Sequence, residues 1–316
     1  MKALNLEGII SAVTVPMRQD YSVDIEAFRR YLVWVISSSP VAVAVNTDAG
    51  EGPYLTRDER YEIIQVAREV TAGRCAIVAG IVGPSTLAAM EEARSARAAG
   101  ADALLIFPTP VFLNDPLDIR IPYDYHKAIA DAADLPLIVF QLQPLLGGVI
   151  YPRDALLRLL QLPQVVGLKD GSFDARCFVN TRDIIRQADR PVALLTGNDN
   201  FMLESLLLGA DGGLLGFGAV GTEFLVDMFK AVKAKDFDRA AVIGARAQNF
   251  CDYIFGRPVA DYRARCKAAL VHMGFLQPDQ TFVRPPLSSR WEFERDVARV
   301  AVEKAGQSAI PATPLR

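Results

Sequence analysis

Short apolar segments alternate with longer amphipathic segments along most of the chain. Eight of the short segments are rich in Leu and β-branched residues and are followed by Gly, Pro, Asn, Asp or Thr, at residues 8–15, 41–46, 75–81, 103–107, 137–141, 165–169, 192–195 and 213–216. Continuous apolar runs of this length, bounded by turn-forming residues, predict β-strands that are buried on both faces.

The segments between these strands predict helices, because apolar residues recur in them at helical spacing. Thr56 and Glu59 form a capping-box pattern at the start of one helix, and Gly100 follows the end of another. Strands and helices that alternate at intervals of roughly 20 to 35 residues favour a (β/α)8 TIM barrel over residues 1–235. A doubly wound sheet is the alternative, but it usually has fewer strands and often an early Gly-rich phosphate loop.

The strand-like segments stop after residue 235. Three helical patterns follow, at residues 236–255, 258–273 and 291–305, and they predict a C-terminal three-helix extension over residues 236–305 that packs on the barrel. Residues 306–316 contain two prolines and are expected to form a mobile tail.

Composition and charge exclude several classes of protein. With 51% apolar and 22% charged residues, the chain has the balance of a protein that buries a core. A formal charge of −3 gives no bulk attraction to nucleic acid or to an anionic membrane. No signal peptide or membrane-spanning run is recognisable. Four widely separated cysteines without Cys-x-x-Cys spacing favour reduced thiols and a cytoplasmic location.

Lys169 is the most informative candidate for chemistry. It ends the sixth predicted strand, inside an otherwise apolar run, and barrel active sites lie at the C-terminal ends of the strands. Burying an ammonium costs several kcal/mol unless it is paired or neutralised. Desolvation lowers the pKa of a lysine, and the neutral amine can attack a carbonyl carbon to form a Schiff base. The alternative is a lysine that reaches past the strand end or pairs with a carboxylate such as Asp170.

Several short motifs occur in a specific order between about residues 7 and 300. They are Gly8-Ile9-Ile10, Asp48-Ala49-Gly50-Glu51-Gly52, Leu55-Thr56-Arg57-Asp58-Glu59-Arg60, Ala79-Gly80-Ile81-Val82-Gly83, Val166-Gly167-Leu168-Lys169-Asp170, Gly197-Asn198-Asp199 and Val283-Arg284-Pro285-Pro286-Leu287. Their order and spacing resemble the dihydrodipicolinate synthase / N-acetylneuraminate lyase family. The resemblance implies a metal-free class I aldolase barrel without a cofactor, which acts on 2-oxo acids such as pyruvate through an imine to lysine and is often a homotetramer.

The resemblance also implies which residues bind the substrate, and one loop departs from the family pattern. It places Lys169 as the imine-forming residue and Gly197 and Leu214 at the substrate. The family loop Gly-Thr-Thr-Gly-Glu is Thr47-Asp48-Ala49-Gly50-Glu51 in this sequence. The backbone amides of Ala49 and Gly50 could still bind a carboxylate, whereas the Asp48 side chain would repel one. Alternatively, Asp48 points away from the site and caps a turn.

Two tyrosines that relay protons in the family are phenylalanines in this sequence. Phe140 stands at the end of the fifth strand, followed by Gln141 where the family usually has Asn, and Phe112 follows the fourth strand. We expect all three to line a substrate site that is less polar than in relatives. Phenylalanine transfers no proton, so a relay worth roughly 10²–10⁴-fold in rate is absent. The basic residue that often follows strand five is replaced by Leu145 and Leu146, which disfavours dihydrodipicolinate synthase activity.

The sequence therefore predicts a Schiff-base lyase, either an aldolase, a hydratase or a dehydratase, acting on a small 2-oxo acid or aldehyde. Lys169 would form the imine and Asp48 would carry the proton, within a homodimer or homotetramer that binds neither nucleic acid nor membrane. The alternatives are a carbonyl-binding barrel with weak or no turnover, and dihydrodipicolinate synthase activity retained despite the substitutions. A magnesium ion ringed by Asp48, Glu51, Asp170 and Asp199 is a further alternative, since the two histidines have no partner at ligand spacing.

Overall fold

Eight parallel strands form the centre of the molecule, in a computed structural model that describes residues 4–307. The strands are β1 Gly8–Ala12, β2 Ala42–Val45, β3 Ala76–Ile81, β4 Ala103–Ile106, β5 Leu137–Leu142, β6 Val165–Gly171, β7 Ala193–Thr196 and β8 Gly212–Leu215. Each pairs with the next in the chain, and β1 pairs with β8, where Ile10 lies opposite Leu214. The sheet is a closed barrel, which confirms the (β/α)8 prediction.

Helices follow the strands and cover the outside of the barrel. They are α1 Ile25–Ser37, α2 Arg57–Thr71, α3 Thr86–Ala99, α4 Arg120–Ala133, α5 Arg153–Leu159, α6 Ala175–Ile185, α7 Met202–Leu207 and α8 Gly218–Lys233. The predicted capping box starts α2, because the Thr56 hydroxyl accepts from the Glu59 N–H and the Glu59 carboxylate accepts from the Thr56 N–H. Gly100 ends α3 with a φ of 104°, a left-handed conformation that glycine adopts without strain.

Three more helices form the predicted C-terminal extension: α9 Phe237–Ile254, α10 Tyr262–His272 and α11 Trp291–Ala305. Helix α9 packs against α8, and α10 packs against α11. The boundary expected after residue 235 falls between α8 and α9. Of the tail predicted to be mobile, residues 308–316 lie outside the described residues. No helix within residues 4–307 is both long and apolar enough to cross a membrane.

The strand register decides which side chains face the barrel interior. Lys169 lies opposite Phe140 of β5 and Leu195 of β7, and residues paired in this way share one face of the sheet. The neighbouring Gln141 points the other way, because its amide donates to the Thr181 hydroxyl of α6. Lys169 and Phe140 therefore face the interior, and Gln141 faces the surrounding helices.

Candidate active site around Lys169

Lys169 is a half-buried residue at the C-terminal end of β6. Its Nζ lies 4.1 Å from the centroid of the Phe140 ring, and none of the ion pairs within residues 4–307 includes it. Burial lowers the pKa of Lys169 to about 8, although the negative charges of Asp199 and Asp48 act to raise it. A useful fraction of this amine is therefore neutral near physiological pH, which is the form that attacks carbonyl carbons.

Gly197 makes room for the Lys169 side chain. A Cβ at Gly197 would lie 2.5 Å from Cε and 3.2 Å from Cγ of Lys169, so a side chain there would displace the lysine. The Gly197 N–H donates to the Asp170 carbonyl at 2.7 Å, which holds the end of β7 beside the end of β6. The sequence predicted Gly197 as a substrate-binding residue, and the structure gives it a contact with the lysine stem. Its contact with substrate stays a prediction.

Asp199 brings a buried carboxyl group to the same end of the barrel. Its side chain is almost fully buried, and Oδ1 accepts from the Phe217 N–H at 2.9 Å. Burial raises the pKa of Asp199 to about 6, while the Phe217 N–H and the Lys169 charge act to lower it. A carboxyl with this pKa exchanges protons readily near neutral pH. Sequence reasoning considered Asp199 only as a metal ligand, although its place directly after the seventh strand was a usable signal.

Asp48 lies in the loop after β2, where two side chains of the extension hold it. The Tyr262 hydroxyl donates to Oδ2 at 2.8 Å, and Arg263 forms an ion pair with Oδ1. The Arg263 Nε also donates to the Asp48 carbonyl at 2.8 Å. The charge of Asp48 acts to raise the pKa of Lys169, but the direct partners of this carboxylate are Tyr262 and Arg263. Neither was recognised from the sequence, because α10 follows the Asp48 loop by more than two hundred residues.

A second group of contacts from the extension fixes the far end of the same loop. Lys267 Nζ lies 2.5 Å from Glu51 Oε1, and both side chains are fully buried. The Arg284 N–H donates to Glu51 Oε2 at 2.8 Å. Opposite charges that are buried and hydrogen-bonded in this way compensate each other, whereas removal of either leaves a charge stranded. The acid that the family resemblance placed in this loop therefore anchors it to the extension.

The loop held by these contacts presents unpartnered hydrogen-bond donors. Asn46 and Glu51, at its two ends, have φ values of 55° and 57°, so the backbone turns sharply between them. Ala49 and Gly50 are buried, and their N–H groups donate to no group within the described chain. The buried Thr47 hydroxyl also lacks a partner there. Adjacent backbone amides left open in a turn are suited to bind an anion such as a carboxylate.

Gln141 does not join the site, which corrects its prediction as a substrate-binding residue. The side chain is fully buried on the outer face of β5, where its amide donates to Asp170 Oδ2 and to Thr181 Oγ1. The physical reason is the two-residue alternation of a strand: Phe140 faces the interior, so its neighbour cannot.

Phe112 and Leu214 are both buried, Phe112 among aromatic side chains and Leu214 on the inner face of the sheet. Phe112 packs in an aromatic cluster, with ring centroids 5.5 Å from Tyr125 and 6.0 Å from Tyr151. Leu214 is fully buried. Gly212 pairs with Leu195, which itself pairs with Lys169, and Leu214 follows Gly212 by two residues. Its side chain therefore lies on the same face of the sheet as Lys169. Contact of either side chain with substrate stays a prediction.

The carboxylate ring considered for magnesium does not assemble. Within residues 4–307 no three His, Cys, Asp or Glu side chains are grouped as metal ligands. Glu51 is paired with Lys267, and Asp170 lies on the outer face of β6, bonded to Gln141.

Comparison with known proteins agrees with this architecture. The model of the dihydrodipicolinate synthetase family matches residues 5–305. A 4-hydroxy-tetrahydrodipicolinate synthase of Azoarcus sp. (strain BH72) is 31% identical over 96% of this chain and 100% of its own length. An uncharacterized DapA-like lyase of Pyrobaculum islandicum is 33% identical over 73% of this chain and 74% of its own.

Solved structures show the same fold. The chloride-inhibited dihydrodipicolinate synthase of Acinetobacter baumannii, complexed with pyruvate, superposes with a TM-score of 0.83. It is 27% identical, and the match covers 96% of this chain and 99% of that one. The barrel and its helical extension agree with a family match that spans nearly the whole sequence. The chain therefore belongs to the dihydrodipicolinate synthetase family.

Proposed function

We propose that this lyase acts on a 2-oxo acid through an imine formed by Lys169. The observation that carries the proposal is a half-buried lysine of lowered pKa on the interior face of a barrel, at a strand end, outside every ion pair of residues 4–307. The neutral amine adds to the keto carbon to give a carbinolamine, and protonation of its hydroxyl by a nearby acid or by solvent releases water and leaves a protonated imine. The imine nitrogen then accepts electrons from an adjacent bond as that bond breaks, or stabilises an enamine that attacks an aldehyde.

The loop after β2 supports the choice of a 2-oxo acid. The open amides of Ala49 and Gly50 and the unpartnered hydroxyl of Thr47 could receive the carboxylate that such a substrate carries beside its keto group. The relative from Acinetobacter baumannii was solved with pyruvate, which is a 2-oxo acid, and this agrees with the proposal.

The proton carrier proposed for this chemistry is Asp199. Its carboxyl has a pKa of about 6 and lies near enough to Lys169 for the two charges to interact. Asp48, predicted from the sequence for this role, already has both carboxylate oxygens engaged by donors of α10. Asp48 stays the alternative, and Asp199→Asn and Asp48→Asn separate the two. The variant that abolishes turnover but retains imine trapping identifies the carrier.

Borohydride trapping tests the imine. Pyruvate followed by borohydride should leave one reduced adduct, located by peptide mass mapping at Lys169 among the eight lysines of the chain. Lys169→Arg keeps a positive charge but should not label, whereas Lys127→Arg, at an exposed position of α4, should label like the parent. Labelling spread over surface lysines, or undiminished in Lys169→Arg, would refute the proposal.

The alternatives predict different product measurements. A barrel that binds carbonyl compounds without turnover would trap pyruvate but release no product with any aldehyde offered. Retained dihydrodipicolinate synthase activity would condense pyruvate with aspartate semialdehyde, which the exposed Leu145 and Leu146 after β5 disfavour because neither can pair with a second carboxylate. The homo-oligomer and the cytoplasmic location stay predictions.

A further inference from the structure

The amine nitrogen of Lys169 lies over the face of an aromatic ring. Strand β5 pairs with β6 so that Phe140 lies opposite Lys169, and both side chains therefore point into the barrel. The Lys169 Nζ is 4.1 Å from the centroid of the Phe140 ring. A cation within about 6 Å of an aromatic face is attracted to the negative end of the ring quadrupole. The contact is thus a cation–π interaction at the atom proposed to react.

Neighbouring residues hold the ring and the lysine together. Phe140 is 3% exposed, and Phe107, directly after β4, packs on it in a T-shaped arrangement with ring centroids 5.1 Å apart. A Cβ at Gly171 would lie 3.1 Å from Cε2 of Phe140, so a side chain there would press on the ring. Gly197 lies close against the stem of Lys169. The lysine therefore occupies a narrow space beside a ring whose position is fixed.

The ring contact matters more because Lys169 has no counter-ion in direct contact. None of the ion pairs within residues 4–307 includes it, and desolvation disfavours its charge. Cation–π contacts are stronger where the cation is desolvated than at an exposed surface. The ring also differs from a carboxylate in that it has no lone pair to accept a proton. It can therefore stabilise a positive nitrogen without competing for the proton on that nitrogen.

We propose that the face of the Phe140 ring stabilises the positive charge at Lys169 Nζ, first on the ammonium and then on the protonated imine. Condensation joins the keto carbon to Nζ and releases water, and the positive charge of the product is on the same nitrogen. The ring therefore favours the ammonium over the free amine in the resting protein, and the protonated imine over the neutral one afterwards. The inference rests on the imine of the proposed function and adds the group that keeps this imine protonated.

Fluorinated phenylalanines at position 140 test the charge of the ring with little change in its shape. One, two or three fluorine atoms withdraw electrons from the ring face step by step, so a cation–π contact weakens in the same order. The pH midpoint for acetylation of Lys169, measured by peptide mass mapping, should fall with each fluorine, by about one pH unit for three. The same residues placed at Phe178, which packs on Phe201 away from Lys169, should leave the midpoint unchanged.

Trapping of pyruvate at two pH values separates the charge of the ring from its packing. At pH 9 the free amine is mostly neutral, so the ring acts on the protonated imine alone. Three fluorines should then raise the half-saturating pyruvate concentration, read from a borohydride quench, by about tenfold. At pH 6 the free ammonium and the protonated imine both contact the ring, so the increase should be less than about twofold. Phe140→Leu, which removes the ring, should show the same dependence on pH.

The outcomes distinguish this inference from the proposed function. If the parent traps no pyruvate at Lys169, the proposed function is wrong, and the stabilisation of an imine is overturned with it. If the parent traps pyruvate but fluorination changes neither the acetylation midpoint nor trapping at pH 9, the imine stands and the role of the ring is refuted. An equal loss of trapping at pH 6 and pH 9 also refutes this role, because damage to packing does not depend on the charge of the free amine.

Discussion

The lowered pKa of Lys169 makes imine formation depend on pH in a way that can be calculated. With a pKa of about 8, roughly one amine in ten is neutral at pH 7, against roughly one in three thousand for a lysine at 10.5. Lys169 should therefore react about 300-fold faster than an exposed lysine of equal access. Its labelling by pyruvate and cyanoborohydride should rise with pH, with a midpoint near 8, and level off above it.

The neighbouring carboxylates determine how this midpoint moves. Both Asp199 and Asp48 act to raise the pKa of Lys169, and Asp199 has the larger effect. Asp199→Asn should therefore lower the midpoint, and Asp48→Asn should lower it less. Asp131→Asn, which removes a charge at the far end of α4, should leave it in place.

The assay is the labelling rate at Lys169 across pH, measured by peptide mass mapping and normalised to reduction of a small-molecule imine in the same samples. A midpoint that stays close to 10.5 would refute the argument from desolvation. An upward shift in Asp199→Asn would refute the position given to that carboxylate.

Other predictions follow from the contacts around the site. Gly197→Ala should slow labelling of Lys169 by about tenfold or more, because its Cβ would lie 2.5 Å from the lysine Cε; normal labelling would contradict the packing. Lys169→Met should raise the free energy of unfolding at pH 7 by about 1–2 kcal/mol in urea, since a desolvated ammonium is removed. The pKa of Lys169 is lower in the folded protein than in the unfolded chain. The gain in the free energy of unfolding is therefore complete below pH 8 and disappears as the pH approaches 10.5, where the unfolded chain also loses the proton. Lys267→Met should cost about 3–5 kcal/mol by stranding the buried Glu51, whereas Lys233→Met, in an exposed pair, should cost less than about 1 kcal/mol. Labelling and turnover should persist in EDTA, and restoration of a lost activity by Mg²⁺ would favour a metal site instead.

The fold could be predicted from the sequence because its signals are local. A parallel strand buried on both faces is an unbroken apolar run, and the capping residues at Thr56 and Gly100 act within one helical turn. The observed strands begin and end within a few residues of the predicted ones. Lys169 was recognisable for the same reason, as one charge in an apolar run.

The rest of the site depends on contacts that no local pattern contains. Gln141 was wrongly predicted to line the site because β5 is an apolar run without alternating polar residues. The sequence therefore does not show which residues of β5 face the barrel interior and which face the helices. The bonds from Tyr262 and Arg263 to Asp48 join residues 214 and 215 positions apart. The sequence alone gives no signal for such a pairing. Helix α10, which supplies Tyr262 and Arg263, is not amphipathic and is buried on both sides, so no polar face marks the residues that contact the Asp48 loop.

The attachment of the Asp48–Glu51 loop to α10 has a consequence for synthesis of the chain on the ribosome. Proteins begin to fold from the N-terminus during translation, and this loop emerges early. Its anchors at Tyr262, Arg263, Lys267 and Arg284 emerge 214 to 233 residues later. A nascent chain that has completed all eight strands therefore still lacks the groups that hold this loop. The last fifth of the polypeptide supplies the contacts that fix the loop beside the barrel, so under the proposed function the substrate site takes its final form only when translation is nearly complete.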